Sequence, residues 1–201
     1  MRICSKCAGG VLLAQPTLQM ESGGEIPTSA HQLGIIEINT VAARDLNQIW
    51  HSRLPNYKTG FCLNSKVCYG GTFDSQIFAV AIWSNPVSRL LPQKTCLELR
   101  RFAICPHAPK NTASRMLSIM KRLIAEKFPE VTRLVSYQDV EAHKGTIYKA
   151  AGWQSIATHR GGSWNRPNST NSSNGKPRTR PDSNNAIGAK VRWETEITRG
   201  S

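Results

Sequence analysis

Tyr148 stands one helical turn ahead of a glycine-aromatic stop, Gly152-Trp153, and Asp139 ends the run Val135-Ser136-Tyr137-Gln138-Asp139 just upstream. A phenol and a carboxylate flanking one strand-to-helix junction are residue types of general acid–base chemistry. Arg101 shares strand parity with Leu97, Leu99 and Ala103, which places it on the buried face of its strand. A buried guanidinium demands an acidic partner, and Asp139 at the end of the next strand is the candidate. That pair reads either as a structural ion pair or as an anion-holding, substrate-orienting one.

Two histidines stand apart from each other in the sequence. His51 closes the first helix in Trp50-His51-Ser52-Arg53, where an imidazolium favours the helix dipole and a neutral imidazole favours proton transfer. His143 beside Lys144 suits phosphate or a metal, but two isolated histidines do not make a metal site. Cys4 and Cys7 form the one close cysteine pair. A tetrahedral zinc site needs two more ligands at comparable spacing, so no metal is supported.

The elements that must position these residues follow from periodicity. Gly34 to Asn39 reads as a first strand, and Thr40 as the N-cap of a helix running to about Leu54, with Leu46, Ile49 and Trp50 inward and Pro55 ending it. Gly70-Gly71 marks a turn region, and the apolar run Gln76 to Trp83 a buried strand. A long strand spans Thr95 to Cys105, stopped by Pro106 and Pro109. Asn111 or Thr112 then caps a helix whose Met116, Leu117, Met120, Leu123, Ile124 and Phe128 share one face, opposite Arg115, Lys121, Arg122 and Glu126. Arg133 to Tyr137 is a buried strand, Gln138 to Lys144 a loop, and Ile147, Ala150 and Ala151 the inner face of a short helix ended by Gly152. The order is α/β, in one domain.

Residues 161–189 are rich in Asn, Ser, Gly, Pro and Arg with almost no apolar side chains, too few to offset ordering entropy by burial, and read as a flexible basic insert. Arg160, Arg166, Lys176, Arg178 and Arg180 there suit phosphate contact, or form a solvated linker. Ala189 to Ile197 alternates again and is expected to return as a last edge strand, with a tail to residue 201. Residues 1–33 read as a disordered leader.

A formal charge of +13 and a pI near 9.9 point to a polyanionic partner, nucleic acid ahead of a membrane. No apolar run approaches the roughly 20 residues that span a bilayer, and no signal peptide is evident. A soluble, cytoplasmic protein with its 6 cysteines reduced is expected. Oligomeric state has no signature in the sequence.

The Tyr-x-x-x-Gly-aromatic helix after a strand resembles the last segment of the GNAT acyltransferase superfamily, in which that tyrosine often serves as general acid. Leu97-Glu98-Leu99-Arg100-Arg101-Phe102, Ala108-Pro109-Lys110-Asn111-Thr112-Ala113-Ser114, Ser136-Tyr137-Gln138-Asp139 and Gly145-Thr146-Ile147-Tyr148 together are similar to the Mom family of phage DNA-modification proteins, a divergent GNAT-like branch. The resemblance covers roughly Ile35 to Thr158. It implies a mixed twisted sheet flanked by helices over residues 34–160, in a phage or prophage protein acting inside a bacterial host.

The resemblance also implies a reaction: modification of adenine N6 in duplex DNA to the carbamoylmethyl derivative, which protects the DNA from restriction. The base must be extruded and the acyl carbonyl polarised. Tyr148 then suits protonating the leaving group, Asp139 orienting or deprotonating the amine, and Ser114 with the helix amides holding the oxyanion; Arg101 and His51 occupy positions shared with Mom-like chains. Tyr137 and Trp153 are both suited to stack on the flipped base, with core packing the favoured role of Trp153. Lys110, Asn111, Thr112, Ala113 and Ser114 stand where GNAT enzymes cradle the coenzyme A pyrophosphate, but Ala113 and Arg115 replace both glycines of that pattern. The acyl donor is left open between acetyl-CoA, an aminoacyl-tRNA and another glycine-derived carrier. Two other readings stand beside this one: a conventional acetyl-CoA-dependent GNAT acting on a protein or small amine, and a non-catalytic DNA-binding protein on the same scaffold.

Overall fold

The computed structural model describes residues 2–3, 26–51, 65–160 and 188–198. Among these the elements run β1 (Arg2–Ile3), β2 (Gly34–Glu37), α1 (Thr40–Trp50), β3 (Ser65–Phe73), β4 (Gln76–Ser84), β5 (Cys96–Ile104), α2 (Thr112–Lys127), β6 (Arg133–Asp139), α3 (Thr146–Ala150), β7 (Gln154–His159) and β8 (Lys190–Glu196). One mixed sheet has the order β2-β3-β4-β5-β6-β8-β7, with β1 pairing the start of β4 in parallel. This is the α/β single-domain architecture expected from the periodicity.

β4 lies centrally and is buried from Ile77 to Ser84, as a strand covered on both faces must be. On one face Ile38, Ala43, Leu46, Val80, Ile82 and Ala103 form a core under α1. On the other, Met116, Leu117, Met120 and Ile124, each 0 % exposed, seat α2 against Trp83, Leu97 and Leu134. The helix-period stripe read from the sequence is therefore the buried one.

Several local expectations are corrected. Asn39, not Thr40, caps α1, its side chain accepting from the Ala42 N–H at 2.7 Å. The helix ends at Trp50 rather than Leu54, and Ile49 is 40 % exposed while Asn47 takes an inward position. Gly70 and Gly71 lie inside β3, where a Cβ would stand 3.0 Å from Ile38 Cγ2 and 3.1 Å from Met116 Sδ, so they serve close packing. The β3–β4 turn is Asp74-Ser75, both at positive φ, as a two-residue hairpin demands. The folded core also begins ahead of Gly34: Ser29 caps a 3-10 turn over Ala30–Gln32, and Leu33 packs on Phe78 and Cys105. β8 is not an edge strand. It sits between β6 and β7, leaving β7 at the edge.

Two features of the sheet make room for a site. β5 and β6 pair in parallel only from Cys96↔Arg133 to Leu99↔Ser136, and beyond that register they part. β5 also carries an irregularity opposite β4, where Trp83 faces Leu99 and Ile82 faces Arg101, leaving Arg100 as the extra residue of a bulge.

Candidate active site

The β5 bulge changes which way Arg101 faces. Leu97 and Leu99 belong to the core under α2, whereas Ile82, opposite Arg101, and Ala103 belong to the core under α1. Arg101 therefore shares a face with Ala103 but not with Leu97 or Leu99, because one inserted residue inverts the alternation on either side of it. The ion pair near the bulge is Arg100 with Glu98, Nε to Oε1 at 3.2 Å; the Glu98 side chain is 8 % exposed and accepts from the Val87 N–H at 2.9 Å. Burial raises the Glu98 pKa against the lowering effect of that N–H and of Arg100. Among the described residues no ion pair joins Arg101 to Asp139. Asp139 Oδ1 accepts from the Glu141 N–H at 3.0 Å.

A cavity of about 360 Å³ opens where β5 and β6 diverge. Trp50, His51, Arg101 and Ala103 wall it on the α1 side; Ala113, Ile147 and Tyr148 wall it on the α2 and α3 side; Ser136, Tyr137, Gln138, Asp139, His143 and Lys190 line it too, with Leu99, Arg100, Phe102 and Ile104 of β5. Four expected catalytic residues, Tyr148, Asp139, Arg101 and His51, thus meet in one chamber. Ser114 is not among its walls, nor are Lys110, Asn111 and Thr112.

Tyr148 reaches the cavity from α3. Gly145, at φ 72°, starts this helix, and the left-handed Gly152 ends it, with the Trp153 N–H bonding back to the Tyr148 carbonyl at 2.9 Å. The ring lies 5.3 Å from that of Trp193 at 13° between planes, and 5.6 Å from Trp153. Its hydroxyl is 2.8 Å from Ser136 Oγ. Burial raises the Tyr148 pKa above the ordinary tyrosine value, outweighing the lowering effect of that hydrogen bond. The phenol keeps its proton at neutral pH and is a donor.

His51 is the C-cap of α1, its N–H bonded to the Asn47 carbonyl at 2.8 Å. Burial, then Arg101, then His143 lower its pKa to about 4. The imidazole is accordingly neutral at physiological pH and does not act as a helix-terminal cation. Tyr137 lies in the cavity wall with its ring 6.0 Å from His159. Trp153, 4 % exposed and 6.4 Å from Trp83, is a core residue as expected.

Sequence reasoning missed Ser136, Gln138, Lys190 and Trp193. Ser136 was visible as a polar residue in a buried strand, whereas Gln138 was read as the start of the loop and is instead in β6, which runs on to Asp139. Lys190 and Trp193 were not visible, since their place depends on β8 pairing with β6, Lys190 against Asp139 and Trp193 against Ser136. The same sheet sets His159 opposite Lys190, and of the two Lys190 lines the cavity. Arg160 is exposed just beyond His159. Arg166, Lys176, Arg178 and Arg180 lie outside the described residues, as do Cys4 and Cys7. Among the described residues no group of His, Cys, Asp and Glu is arranged to hold a metal ion, and no helix is long and apolar enough to cross a membrane.

The start of α2 tests the fit of coenzyme A. Asn111, at φ 67°, makes no side-chain cap bond; the Thr112 N–H bonds to the Pro109 carbonyl at 3.3 Å, which leaves the Ala113 and Ser114 amides of a 16-residue helix to meet an anion. Ser114 Oγ donates to the Asn111 carbonyl at 3.1 Å and Thr112 Oγ1 to the Pro109 carbonyl at 2.7 Å. Ala113 carries its Cβ into a buried position, and Arg115 reaches back to the His31 carbonyl at 3.5 Å. The amides fit an anion, but these side chains do not fit the close backbone approach of a diphosphate cradle.

A family model described as the Mom protein family matches residues 32–180. No curated protein matches the chain at the sequence level. The fold is similar to the ribosomal-protein-S18-alanine N-acetyltransferase of Escherichia coli, with TM-score 0.56 and 14 % identity over 84 % of this chain and 96 % of that one. It is similar also to a Bacillus subtilis acetyltransferase in complex with CoA (TM-score 0.56, 12 % identity, 83 % of this chain and 99 % of that one). A spermidine N-acetyltransferase of Vibrio cholerae in complex with CoA and spermine matches at TM-score 0.53 and 12 % identity, over 83 % and 96 % of the chains. At such identities the likeness is one of fold, and that fold is the GNAT acetyltransferase one.

Proposed function

The chain belongs to the Mom protein family, and from that premise we propose that it is a DNA-modifying transferase that delivers an acyl-derived, carbamoylmethyl-forming group to adenine N6 of duplex DNA, protecting phage DNA from restriction. The observation that carries this reading is the meeting of a protonated phenol, a carboxylate and a neutral imidazole in a chamber walled on both faces of the sheet. A chamber of about 360 Å³ is within the usual range for small-ligand sites, and it suits a flipped base and a short acyl group.

In the proposed step the N6 nitrogen attacks the donor's acyl carbon, and the bond from that carbon to its leaving oxygen or sulfur breaks. Asp139 orients the amine and takes its proton. Tyr148 gives the phenolic proton to the leaving group, so that a proton passes from amine to leaving group in balance. Ser136 holds the tyrosine oxygen throughout. Arg101 supports the charge that develops on the acyl oxygen, a role left vacant by Ser114, whose hydroxyl is committed to the Asn111 carbonyl. With a glycyl ester as donor, the resulting N6-glycyl amide has the same atoms as N6-carbamoylmethyladenine. Attack of its free amine on adenine C6, with breakage of the bond from C6 to the amide nitrogen and transfer of a proton from the amine to that nitrogen, converts the first into the second. Duplex DNA is the partner this reading requires, and the exposed Arg160 just past the end of β7, followed in the sequence by the other basic residues of the insert, suits phosphate contact.

The conventional acetyl-CoA-dependent GNAT reading draws on the open amides of α2 and is weakened by Ala113 and Arg115. Mass analysis of nucleosides from a plasmid co-expressed with the protein separates the readings. Heavier adenosine supports the proposal; unchanged nucleosides point to another amine or to a non-catalytic DNA-binding protein.

A further inference from the structure

β6 directs two polar side chains of one parity, Ser136 and Gln138, toward α3, and both are buried, at 2 % and 6 % exposed. Ser136 meets the Tyr148 hydroxyl directly. Gln138 does not touch the tyrosine, yet each end of its amide is used. Its Oε1 accepts from Trp193 Nε1 at 2.7 Å, and its Nε2 donates to the His143 carbonyl at 2.5 Å. Trp193 stacks on the Tyr148 ring, while His143 belongs to the turn that leads into Gly145 and α3. The fit is tight: a Cβ on Gly145 would stand 2.5 Å from Gln138 Oε1 and 2.7 Å from Trp193 Cζ2.

We infer that Gln138 and Trp193 are positioning residues, a clamp that fixes the entry into α3 and the plane of the Tyr148 ring so that its hydroxyl points at the reacting atoms. A five-residue helix is too short to hold its own geometry. The indole supplies a flat surface on one side of the phenol, and the amide ties that indole to the turn from which the helix starts. Misplacement by about 1 Å at a proton donor costs on the order of 10²-fold in rate. The inference rests on the reading of Tyr148 as the proton donor.

The test is a double-mutant cycle on the full-length protein, reading the rate of adenosine modification on duplex DNA. Gln138→Leu removes both hydrogen bonds at similar volume, and Trp193→Phe keeps the stacked ring but loses the N–H; either serves if the other fails to fold. A clamp acting through the tyrosine lowers kcat about tenfold or more with KM for DNA within about twofold, and adds less than about twofold once Tyr148→Phe is present. Losses that multiply in the two backgrounds overturn the inference and mark a merely structural role, as does unchanged kcat in Gln138→Leu while Tyr148→Phe is impaired. Full activity of Tyr148→Phe overturns the donor reading itself, and the clamp with it.

Discussion

The hydroxyls of Tyr148 and Ser136 lie 2.8 Å apart and buried, on adjoining walls of the cavity. A phenol that is to donate into the cavity accepts from Ser136, whose own hydroxyl proton then points at the tyrosine oxygen. Ser136→Ala should lower kcat about tenfold, the scale of one lost hydrogen bond to a charged or developing-charge oxygen. Single-turnover modification of duplex DNA measures it, and an unaltered rate contradicts the arrangement.

The direction of the Tyr148 shift predicts the alkaline side of the pH–rate profile. An acid works in its protonated form and is lost as pH rises through its pKa. Burial places that pKa above the ordinary 10.0, so kcat should show no alkaline loss from this group at pH 7 to about 9. In Ser136→Ala the limb should move higher still, because the removed bond favours the phenolate. A limb that moves lower argues for a different acid.

His51 predicts acid sensitivity of the fold. Its pKa falls from 6.5 to about 4 on folding, so between those values the unfolded chain binds more protons. The stabilisation is fully present above pH 6.5 and is lost as pH falls toward 4. A shift of this size corresponds to roughly 3 kcal/mol, reduced by partial solvent contact to on the order of 1–2 kcal/mol. His51→Gln should flatten the difference in denaturant midpoint between pH 7 and pH 5, and an identical difference in the variant contradicts the assignment.

Asp139 separates structure from chemistry. The oxygen that accepts from the Glu141 N–H survives in Asp139→Asn, and no ion pair to Arg101 is lost. Thermal stability should change little while the modification rate falls about 10²-fold, the scale of a removed general base. A large drop in melting temperature with proportionate activity loss assigns the carboxylate a structural role.

Gly145 and Gly152 both sit at positive φ, 72° and 74°, but only Gly145 has neighbours in the way of a Cβ. Gly152→Ala should cost about 1 kcal/mol from backbone conformation alone. Gly145→Ala should cost appreciably more, since Gln138 and Trp193 must also move. Equal costs by chemical denaturation show that the turn relaxes freely.

Features set by neighbours in the chain are legible in the sequence, and those set by distant pairing are not. α2, β4, β6 and the α3 stop at Gly152 were legible because periodicity and capping are local. So was the placing of Tyr148 and Asp139 near one strand-to-helix junction, where both line the cavity. The face of Arg101 was not, because parity reasoning assumes an unbroken strand and the bulge at Arg100 breaks it. The inner position of β8 was hidden for another reason: its strand pairs with β6 across an insert whose length carries no register information. Gln138 and Trp193 became functional candidates only through the contact that this pairing creates, and Ser136 through its meeting with the Tyr148 hydroxyl. The Asp74-Ser75 turn was masked by a Gly-Gly pair that serves packing instead.

The central claim is that this chain modifies adenine in DNA with Tyr148 as proton donor. Its most direct measurement is the mass of adenosine from plasmids propagated with the wild-type protein and with Tyr148→Phe, at matched soluble expression. The account predicts a heavier adenosine with the wild type and accumulation slower by about 10²-fold or more with the variant. Unchanged adenosine with soluble wild-type protein, or equal modification by the two, contradicts it.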